Sequence, residues 1–405
     1  HIEIPNGVTS ISEDKFYGFY GVDSITLPLD CQIDSNAFSS ITIKNIYYNS
    51  TIESWCNSAS YTGDIFFKEN YVNHFYISNG SEWEEVIDLV IPDTVSMLRE
   101  KAFCNFTNLT SVIITDKLEK VEKDVFLNCD KIIKVSSPTI AIPLFKKQNG
   151  ETLIKEYTIT SGEEIVRYTF YRWNVLENVT ICEGVKIIRE DAFRDCYNLK
   201  SLIIPNSVET IEGGAFQVSY SIEEKFDMYN KYSNAYYLGN EENPYLWLIK
   251  VKSKQIQSCE IHPDTKYIGT LAFYSCSSLT SITIGQSVIR IDERAFEYCS
   301  HLTTVAIASD KLTSIGKYAF QYCWDLTTIR VLPKSLRYIG EGATVNTYRA
   351  LNKVYFEGTI EDWSLVNVEQ KNDPLIKNLF YYSEEEPLIE GNYWHYVKGV
   401  PTVWS

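Results

Sequence analysis

The sequence has few histidines and lacks the short motifs on which many enzymes depend. Five histidines occur among 405 residues, a small supply of the commonest general base. There is no His-Glu-x-x-His, no Gly-x-Ser-x-Gly, no phosphate-binding loop and no Gly-x-Gly-x-x-Gly. We therefore expect no catalytic residues, no enzyme activity and no cofactor.

Metal-binding patterns are absent as well. None of the ten cysteines forms a Cys-x-x-Cys pair, which removes the usual zinc and redox signatures. No loop carries the alternating acidic ligands that calcium needs. Acidic runs such as Glu163-Glu164, Glu241-Glu242 and Glu384-Glu385-Glu386 are typical of solvated loops, so we expect no bound metal. Carboxylate chemistry in an insertion stays open as a weaker alternative.

Basic blocks and long apolar runs are also missing. The formal net charge is −16, which would repel both a polyphosphate backbone and an anionic lipid surface. No run of about 18 apolar residues could span a bilayer. We expect neither nucleic-acid binding nor membrane insertion. The sequence begins at His1 without a visible signal peptide, so either a leader has been removed or the chain is a trimmed piece.

What the sequence does contain is an internal repeat. Ala-Phe or a near equivalent recurs, with neighbours 23 or 24 residues apart where nothing is inserted. This spacing falls within the period of leucine-rich repeats. The pairs are Ala102-Phe103, Val125-Phe126, Thr169-Phe170, Ala192-Phe193, Ala215-Phe216, Ala272-Phe273, Ala295-Phe296 and Ala319-Phe320.

One repeat unit predicts one coil with a turn and a strand. From Phe273 the apolar residues are first three apart, which suits a 3₁₀-like or helical turn, and then two apart around Ile282 and Ile284, which suits a short strand. A single coil exposes too much apolar surface to be stable, whereas stacked coils bury a continuous core.

The cysteines fill a packing position in this repeat. Five lie three residues after the repeat phenylalanine, a position that Phe106 and Trp173 occupy in other units. A position that accepts Cys, Phe or Trp favours a buried ladder of free thiols, with disulfides between coils as the minor alternative. The five are Cys129, Cys196, Cys276, Cys299 and Cys323.

The units "LTSITIGQSVIRIDERAFEYCSHL" and "LIIPNSVETIEGGAFQ" resemble the BspA-like leucine-rich-repeat proteins, a family of bacterial surface antigens. "IYYNSTIESWCN", "VYFEGTIEDWSL" and "GNYWHYVKGVPTVW" are similar to inter-repeat and terminal pieces of relatives from gut commensals. The resemblance implies an α/β repeat solenoid: a right-handed stack of leucine-rich-repeat coils with inserted β-hairpins. It also implies a secreted or cell-surface location and no catalytic residues.

We predict one solenoid over residues 1–405, interrupted at about 47–90, 136–165 and 218–260. The second interruption is close to two repeats long and is predicted to contain a degenerate coil on Ile154, Tyr157 and Ile159. In the third, two aromatic β-prone runs flank "GNEENP" and predict a hairpin that projects from the solenoid. Residues 378–405 are predicted to form a capping hairpin, because a terminal coil needs a cover. The aromatic residues assigned to this cap are Tyr393, Trp394, Tyr396 and Trp404; a glycan-binding platform is the alternative for them.

Two surfaces are candidates for binding. If Ile282 and Ile284 point inward, Ser281 and Thr283 point outward, and their counterparts in the next coils are Thr304 with Ala306 and Thr328 with Arg330. Such small hydroxyl residues are also simply good exposed strand residues. The second candidate is the hairpin cluster of Tyr236, Tyr237, Tyr245 and Trp247, since aromatic residues are enriched at interaction hot spots, although packing of the hairpin on the coils beneath is the competing interpretation.

The function we predict is non-enzymatic macromolecular binding or adhesion by a monomer. By the family resemblance, the partner is a host extracellular-matrix or cell-surface protein, or another bacterial surface protein. A carbohydrate-binding protein that uses Tyr/Trp-rich hairpins is the alternative from a different class.

Overall fold

The computed structural model describes residues 1–29, 31–34, 37–38, 41–58, 72–78, 80–145, 152–212, 214–216, 229–347 and 351–404. The chain forms two compact units. Unit 1 comprises His1–Thr210 with Ala215–Phe226, and unit 2 comprises Ile211–Gly214 with Asp227–Ser405.

Unit 1 consists of coils that each contribute a strand to a main sheet and, in most cases, a two-residue strand to a second sheet. The strands are β1 (Ile2–Glu3), β2 (Ser10–Ile11), β3 (Ser24–Leu27), β4 (Gln32–Ile33), β5 (Asn45–Tyr48), β6 (His74–Ser78), β7 (Trp83–Glu85), β8 (Asp88–Val90), β9 (Met97–Leu98), β10 (Ser111–Ile113), β11 (Lys120–Val121), β12 (Lys134–Ser137), β13 (Glu156–Ile159), β14 (Glu164–Ile165), β15 (Asn178–Ile181), β16 (Ile187–Ile188) and β17 (Ser201–Ile203). The main strands form a five-stranded sheet ordered β1-β3-β5-β6-β7 and a six-stranded sheet ordered β8-β10-β12-β13-β15-β17. Pairing between coils is parallel, and β6 with β7 is an antiparallel hairpin.

Unit 2 repeats this plan with longer sheets. After β18 (Thr210–Ile211), where the two units divide, its strands are β19 (Asn230–Tyr232), β20 (Ala235–Leu238), β21 (Trp247–Val251), β22 (Tyr267–Ile268), β23 (Ser281–Ile284), β24 (Arg290–Ile291), β25 (Thr304–Ile307), β26 (Ser314–Ile315), β27 (Thr328–Leu332), β28 (Tyr338–Ile339), β29 (Lys353–Phe356), β30 (Asn367–Val368), β31 (Leu379–Tyr382), β32 (Tyr393–Val397) and β33 (Val400–Val403). They form a seven-stranded sheet, β23-β25-β27-β29-β31-β32-β33, and an eight-stranded sheet, β19-β20-β21-β22-β24-β26-β28-β30. The predicted leucine-rich-repeat coil stack is confirmed.

Helices in the described residues are short, and two of them start in the same way. They are α1 (Ile52–Asn57), α2 (Ile360–Trp363), α3 (Asp373–Lys377) and a 3₁₀ helix (Thr139–Phe145). Thr51 and Thr359 are the N-caps of α1 and α2, each in a reciprocal capping box with the residue three positions later. The two similar segments "TIESW" and "TIEDW" therefore form the same capped turn.

The repeat phenylalanines stack from coil to coil inside each unit. In unit 2, Phe296 lies between Phe273 and Phe320, with ring centroids 4.7 and 5.2 Å away and planes within 12° of parallel. In unit 1, Phe193 lies 4.9 Å from Phe170. These rings are buried, so each coil supplies a face that only the next coil can cover.

The cysteines that follow the repeat phenylalanines are stacked beside the rings, as predicted. All ten cysteines are free and nine are buried. Cys299 donates its S–H to the carbonyl of Phe273 at 3.2 Å, and Cys323 donates to that of Phe296 at 3.1 Å. Cys196 makes the same contact with Phe170 in unit 1. Burial raises the pKa of the Cys56 thiol to about 12. These cysteines act as small buried side chains that satisfy a carbonyl of the preceding coil.

The turn that carries Ala-Phe is more specific than the sequence predicted. In this turn the backbone N–H of residue i+3 donates to the carbonyl of residue i, as from Tyr274 to Leu271 and from Cys276 to Phe273. Single residues of the turn have a left-handed backbone. Asn128 and Asp195 have φ of 61° after their repeat phenylalanine, as expected for Asn and Asp, which tolerate this conformation. Tyr298 and Tyr322 occupy the same position at 60° and 59°, which no pattern of apolar spacing indicated.

Within the interruptions, the predicted degenerate coil and the predicted hairpin are confirmed, but the predicted projection of the hairpin from the solenoid is wrong. The degenerate coil exists, because β13 carries buried Tyr157 and pairs in parallel with β12 and β15. The predicted hairpin also exists, as β20 and β21 pair antiparallel. It does not project, however, since β21 pairs in parallel with β22 and so continues the eight-stranded sheet. The domain boundaries stay predictions, and 59–71, 146–151 and 217–228 lie outside the described residues.

Candidate functional site

The outward residues of the seven-stranded sheet line up as predicted. Ser281 is paired with Thr304, which is paired with Thr328. In the neighbouring row, Thr283, Ala306 and Arg330 are paired in the same way. Between these rows and beside them, Ile282, Ile284 and Val305 are buried. This hydroxyl face, made of Ser281, Thr283, Thr304 and Thr328, is a continuous solvent-side surface; its role in binding stays a prediction.

Arg330 lies at a β-bulge in the strand β27 that carries part of this face. The register between β27 and β29 shifts between Ile329 and Leu332, and Val331, inside this bulge, has a φ of 57°. A β-branched residue in the left-handed region is a strained outlier. Bulges change the direction of the strand and re-aim side chains. The strained backbone is therefore next to Arg330, the residue whose direction the bulge changes.

Beyond the bulge the same face becomes aromatic. The residues of this aromatic cluster are Tyr355, Phe380, Tyr382, Trp394 and Tyr396. Tyr355 lies 5.9 Å from Phe380 and 5.4 Å from Trp394, and Tyr382 lies 5.1 Å from Trp394 and 6.0 Å from Tyr396. Trp394 is fully buried at the centre, whereas Tyr396 is 43% exposed. The sequence predicted a cap for Trp394 and Tyr396 and gave no prediction of this cluster, although the alternation in "LFYY" is compatible with an aromatic outer face.

Burial raises the pKa of two tyrosines in this cluster, Tyr355 and Tyr396. Burial raises the pKa of Tyr355, although the nearby positive charge of Arg330 acts in the opposite direction. Burial also raises the pKa of Tyr396, and the carboxylate of Glu357 adds to the increase. The pKa of Glu357 is itself raised, mainly by burial and further by Asp310. The site therefore offers hydroxyl donors, one guanidinium and apolar rings, the combination found at protein interaction hot spots.

The hairpin residues are placed differently from what their sequence suggested. Tyr237 and Trp247 are fully buried. Tyr237 accepts a hydrogen bond from the backbone N–H of His262 at 3.2 Å, and Trp247 stacks on Tyr267 at 4.3 Å under the guanidinium of Arg290. Neither ring has surface that a partner could contact, so both are removed from the candidate ligand-binding residues.

The other two hairpin tyrosines keep some exposure. Tyr245 is half-buried and stacks on the imidazole of His262 at 3.8 Å. Tyr236 is half-buried beside Tyr229, with the ammonium of Lys250 5.6 Å from its ring. The structure does not bring them together with the hydroxyl face. Tyr236 is on β20 of the eight-stranded sheet and Tyr245 is in the turn that precedes β21, whereas the hydroxyl face belongs to the seven-stranded sheet.

The end of the seven-stranded sheet is an antiparallel hairpin of β32 and β33. Its turn is formed by Lys398 and Gly399, with φ of 51° and 79°, the conformation of a two-residue hairpin loop. The indole N–H of Trp394 donates to the carbonyl of Phe356 at 2.8 Å, and that of Trp404 donates to Ser383 at 3.1 Å. Trp394 is therefore part of the packing and is not a platform for a sugar ring.

Within the described residues no group of three or more His, Cys, Asp or Glu side chains could hold a metal ion. Among the acidic runs, Glu164 is paired with Arg189, whose Nη2 donates to it at 2.6 Å. None of the described helices is long and apolar enough to cross a membrane.

The strain at the bulge can be measured directly. We expect Val331→Asn to raise the free energy of unfolding by about 1 kcal/mol, because Asn tolerates a left-handed backbone that a β-branched residue does not. Urea unfolding monitored by circular dichroism measures the change. Val90→Asn is the control: Val90 is an exposed strand residue that is not among the residues with positive φ, so there Asn should destabilise. A loss of stability at both positions would show that Val331 is not strained.

Comparison with known proteins places the chain in a family. The model of the BspA type leucine rich repeat region matches in six copies over residues 1–80, 78–161, 145–237 and 251–366. A leucine rich cell surface protein from Faecalibacterium prausnitzii is 21% identical over 90% of both chains, with a TM-score of 0.30. The pneumococcal vaccine antigen PcpA is 15% identical over 94% of this chain and 83% of its own, with a TM-score of 0.32. A leucine-rich repeat protein from Bacteroides ovatus is 18% identical over 91% and 76%, with a TM-score of 0.23.

No match was found among curated proteins. The family model nevertheless covers well over half of the sequence, and its copies coincide with the stacked coils of both units. The chain therefore belongs to the BspA-type leucine-rich-repeat family.

Proposed function

We propose that this chain is a non-enzymatic adhesion protein that acts in secreted form or at the cell surface and binds, as a monomer, a host extracellular-matrix or cell-surface protein. The binding surface is the hydroxyl face together with Arg330 and the exposed part of the aromatic cluster. The observation that carries the proposal is the strained bulge at Val331, which sets Arg330 between the small hydroxyl residues and the aromatic rings.

The composition of this surface supports a protein partner. Ser281, Thr283 and Thr304 present small side chains that allow another chain to approach closely, while Arg330 and Tyr396 supply the residue types that dominate binding energy at interfaces. The rows also follow adjacent coils, so the surface is extended, as in other repeat proteins that bind along a sheet.

The test compares two substitutions, Arg330→Ala and Arg337→Ala, that change the net charge by the same amount. Arg330→Ala is expected to weaken binding of the full chain to the matrix or cell-surface protein that it recognises by ten-fold or more, because a central arginine is lost. Thr304→Lys, which places a long charged side chain in the row, should have a similar effect. Surface plasmon resonance against a panel of immobilised extracellular-matrix proteins measures both.

Arg337→Ala is the matched control, since Arg337 is exposed and precedes β28 of the other sheet. Its binding should equal that of the unmodified chain. The proposal is overturned if no matrix or cell-surface protein binds, or if Arg330→Ala and Thr304→Lys bind as well as Arg337→Ala does.

A further inference from the structure

A second outward surface, in unit 1, contains a compact group of aromatic side chains. Tyr47 on β5 and Tyr76 on β6 are paired in register, and their rings stack at 4.5 Å with planes 5° apart. Trp83 on β7 and Tyr47 form a T-shaped pair, with ring centroids 5.3 Å apart and an interplanar angle of 79°. We call these three residues the aromatic patch. Unlike the ring stacks of the core, it lies on the solvent side of the sheet, because the intervening Ile46 and Phe75 are the buried residues.

Trp83 gives the patch an accessible ring. Its side chain is 42% exposed although it leans toward Tyr47, two strands away. A large aromatic residue on an exposed hairpin contributes little to a core, and residues of this kind mark binding surfaces when they cluster.

The groups around the patch are polar, and the nearest of them are hydrogen-bonded to one another. The Nδ1–H of His74 donates to Oε1 of Glu85 at 2.7 Å, and the amide of Asn108 donates to the same oxygen at 3.4 Å. Glu85 is paired in register with Tyr76. Burial raises the pKa of the Tyr76 phenol, and Glu85 and Tyr47 raise it further, so Tyr76 remains a neutral hydroxyl donor.

The outward residues of β3, β5 and β6 on this face are Ser24, Thr26, Asn45, Tyr47, His74, Tyr76 and Ser78. All of them are polar or aromatic, and none is aliphatic. An aliphatic peptide would meet hydroxyl, amide and imidazole groups around the three rings, and an anionic ligand would meet Glu85 on a chain with a net charge of −16. A cationic segment would have to compete with His74 for the carboxylate.

We propose that the aromatic patch binds a neutral glycan. The face of a hexopyranose ring that carries C–H groups would stack on the indole of Trp83, and the ring hydroxyls would hydrogen-bond with the Tyr76 hydroxyl and the His74–Glu85 pair. Exposed aromatic rings with hydrogen-bonding groups beside them offer both the apolar and the polar contacts that such an uncharged ligand needs. The site is in unit 1 and does not depend on the proposed protein-binding face of unit 2.

The test is affinity electrophoresis of the full chain through gels that contain one neutral polysaccharide each (mannan, galactan, β-glucan or starch), with a carboxylated polysaccharide as the contrasting gel. At least one neutral polysaccharide should retard the protein. Trp83→Ala should weaken that binding by ten-fold or more, and His74→Ala should weaken it by several-fold. Because Trp83 is exposed, circular dichroism of the variant should match that of the unmodified protein.

Trp324→Ala is the matched control, since Trp324 is 53% exposed in unit 2; it should leave glycan binding unchanged. The inference is overturned if no neutral polysaccharide retards the chain, or if only the carboxylated polysaccharide does. It is also overturned if Trp324→Ala weakens glycan binding as much as Trp83→Ala does. A Trp83→Ala variant that loses binding to matrix proteins but keeps its glycan binding would overturn it as well. Failure here leaves the Arg330 experiment on unit 2 untouched.

Discussion

Phe296→Ala is expected to lower the free energy of unfolding by about 3–5 kcal/mol, the cost of truncating a fully buried phenylalanine. Phe296 has no exposed surface, and both of its ring faces are covered, by Phe273 at 4.7 Å and Phe320 at 5.2 Å. The alanine would leave a cavity between two coils, and the neighbouring rings cannot close it because the backbone hydrogen bonds of the turns fix the distance between coils. Urea unfolding followed by circular dichroism measures the loss.

Tyr298→Ala is the control for this effect. Tyr298 lies two residues further along the same coil and stacks on Tyr322 at 4.5 Å, but it is 36% exposed. Its removal should cost less than about 1 kcal/mol, as for most surface substitutions. Equal losses at the two positions would contradict the view that stability comes from the buried stack of rings.

The second large effect concerns the buried carboxyl of Asp292, which follows β24. Burial raises the pKa of this carboxyl to about 6 from an ordinary value of 3.8, against the opposing effect of Arg290. The Nε of Arg290 donates to Oδ1 at 2.6 Å, while Oδ2 is buried without a hydrogen-bond partner. The folded protein thus binds this proton more tightly than the unfolded chain does.

The direction of the pH dependence follows from this difference. The contribution of Asp292 to stability is fully present below pH 3.8 and is lost as the pH rises through 6. A shift of about two pKa units corresponds to about 3 kcal/mol. Asp292→Asn keeps the shape and the hydrogen bond from Arg290 but cannot ionise. Relative to the unmodified protein, the variant should therefore gain about 2 kcal/mol in free energy of unfolding between pH 4 and pH 7, because part of the full effect falls below pH 4.

Urea unfolding at pH values between 4 and 7 checks this expectation. Asp325→Asn is the control, because Asp325 is exposed, and its stability should change with pH in parallel with that of the unmodified chain. If the curve for Asp292→Asn were parallel too, the buried carboxyl would not be the source of the pH dependence.

Features that recur with the repeat could be predicted from the sequence, and features that occur once could not. The repeat predicted the positions of Phe273, Cys276 and Ile282 in a coil, and it predicted that Ser281, Thr304 and Thr328 form a row. These are correct because a fixed period places equivalent residues side by side, and burial of the apolar face then sets the register. The hydroxyl half of the candidate site could therefore be located without a structure.

The aromatic half could not be located in this way. Tyr355 and Trp394 meet across strands that come from segments without a regular period, and Tyr47 and Tyr76 are separated by an insertion. The burial of Trp247 in the hairpin could not be predicted from the sequence pattern either. Alternation assigns Trp247 to one side of its strand, but this side is covered only because Tyr267 and Arg290 pack against it.

The amino-acid sequence by itself determined that this protein is a stack of leucine-rich-repeat coils with buried phenylalanines and free thiols, because each unit can bury its apolar face only against a copy of itself. The tertiary structure alone decided which aromatic rings reach solvent, where the sheet bulges at Val331, and that Trp83 joins Tyr47 and Tyr76. Those features depend on contacts between residues that no sequence period relates, and they supply the aromatic parts of the proposed binding surfaces, whereas the repeat located only the row of hydroxyl residues.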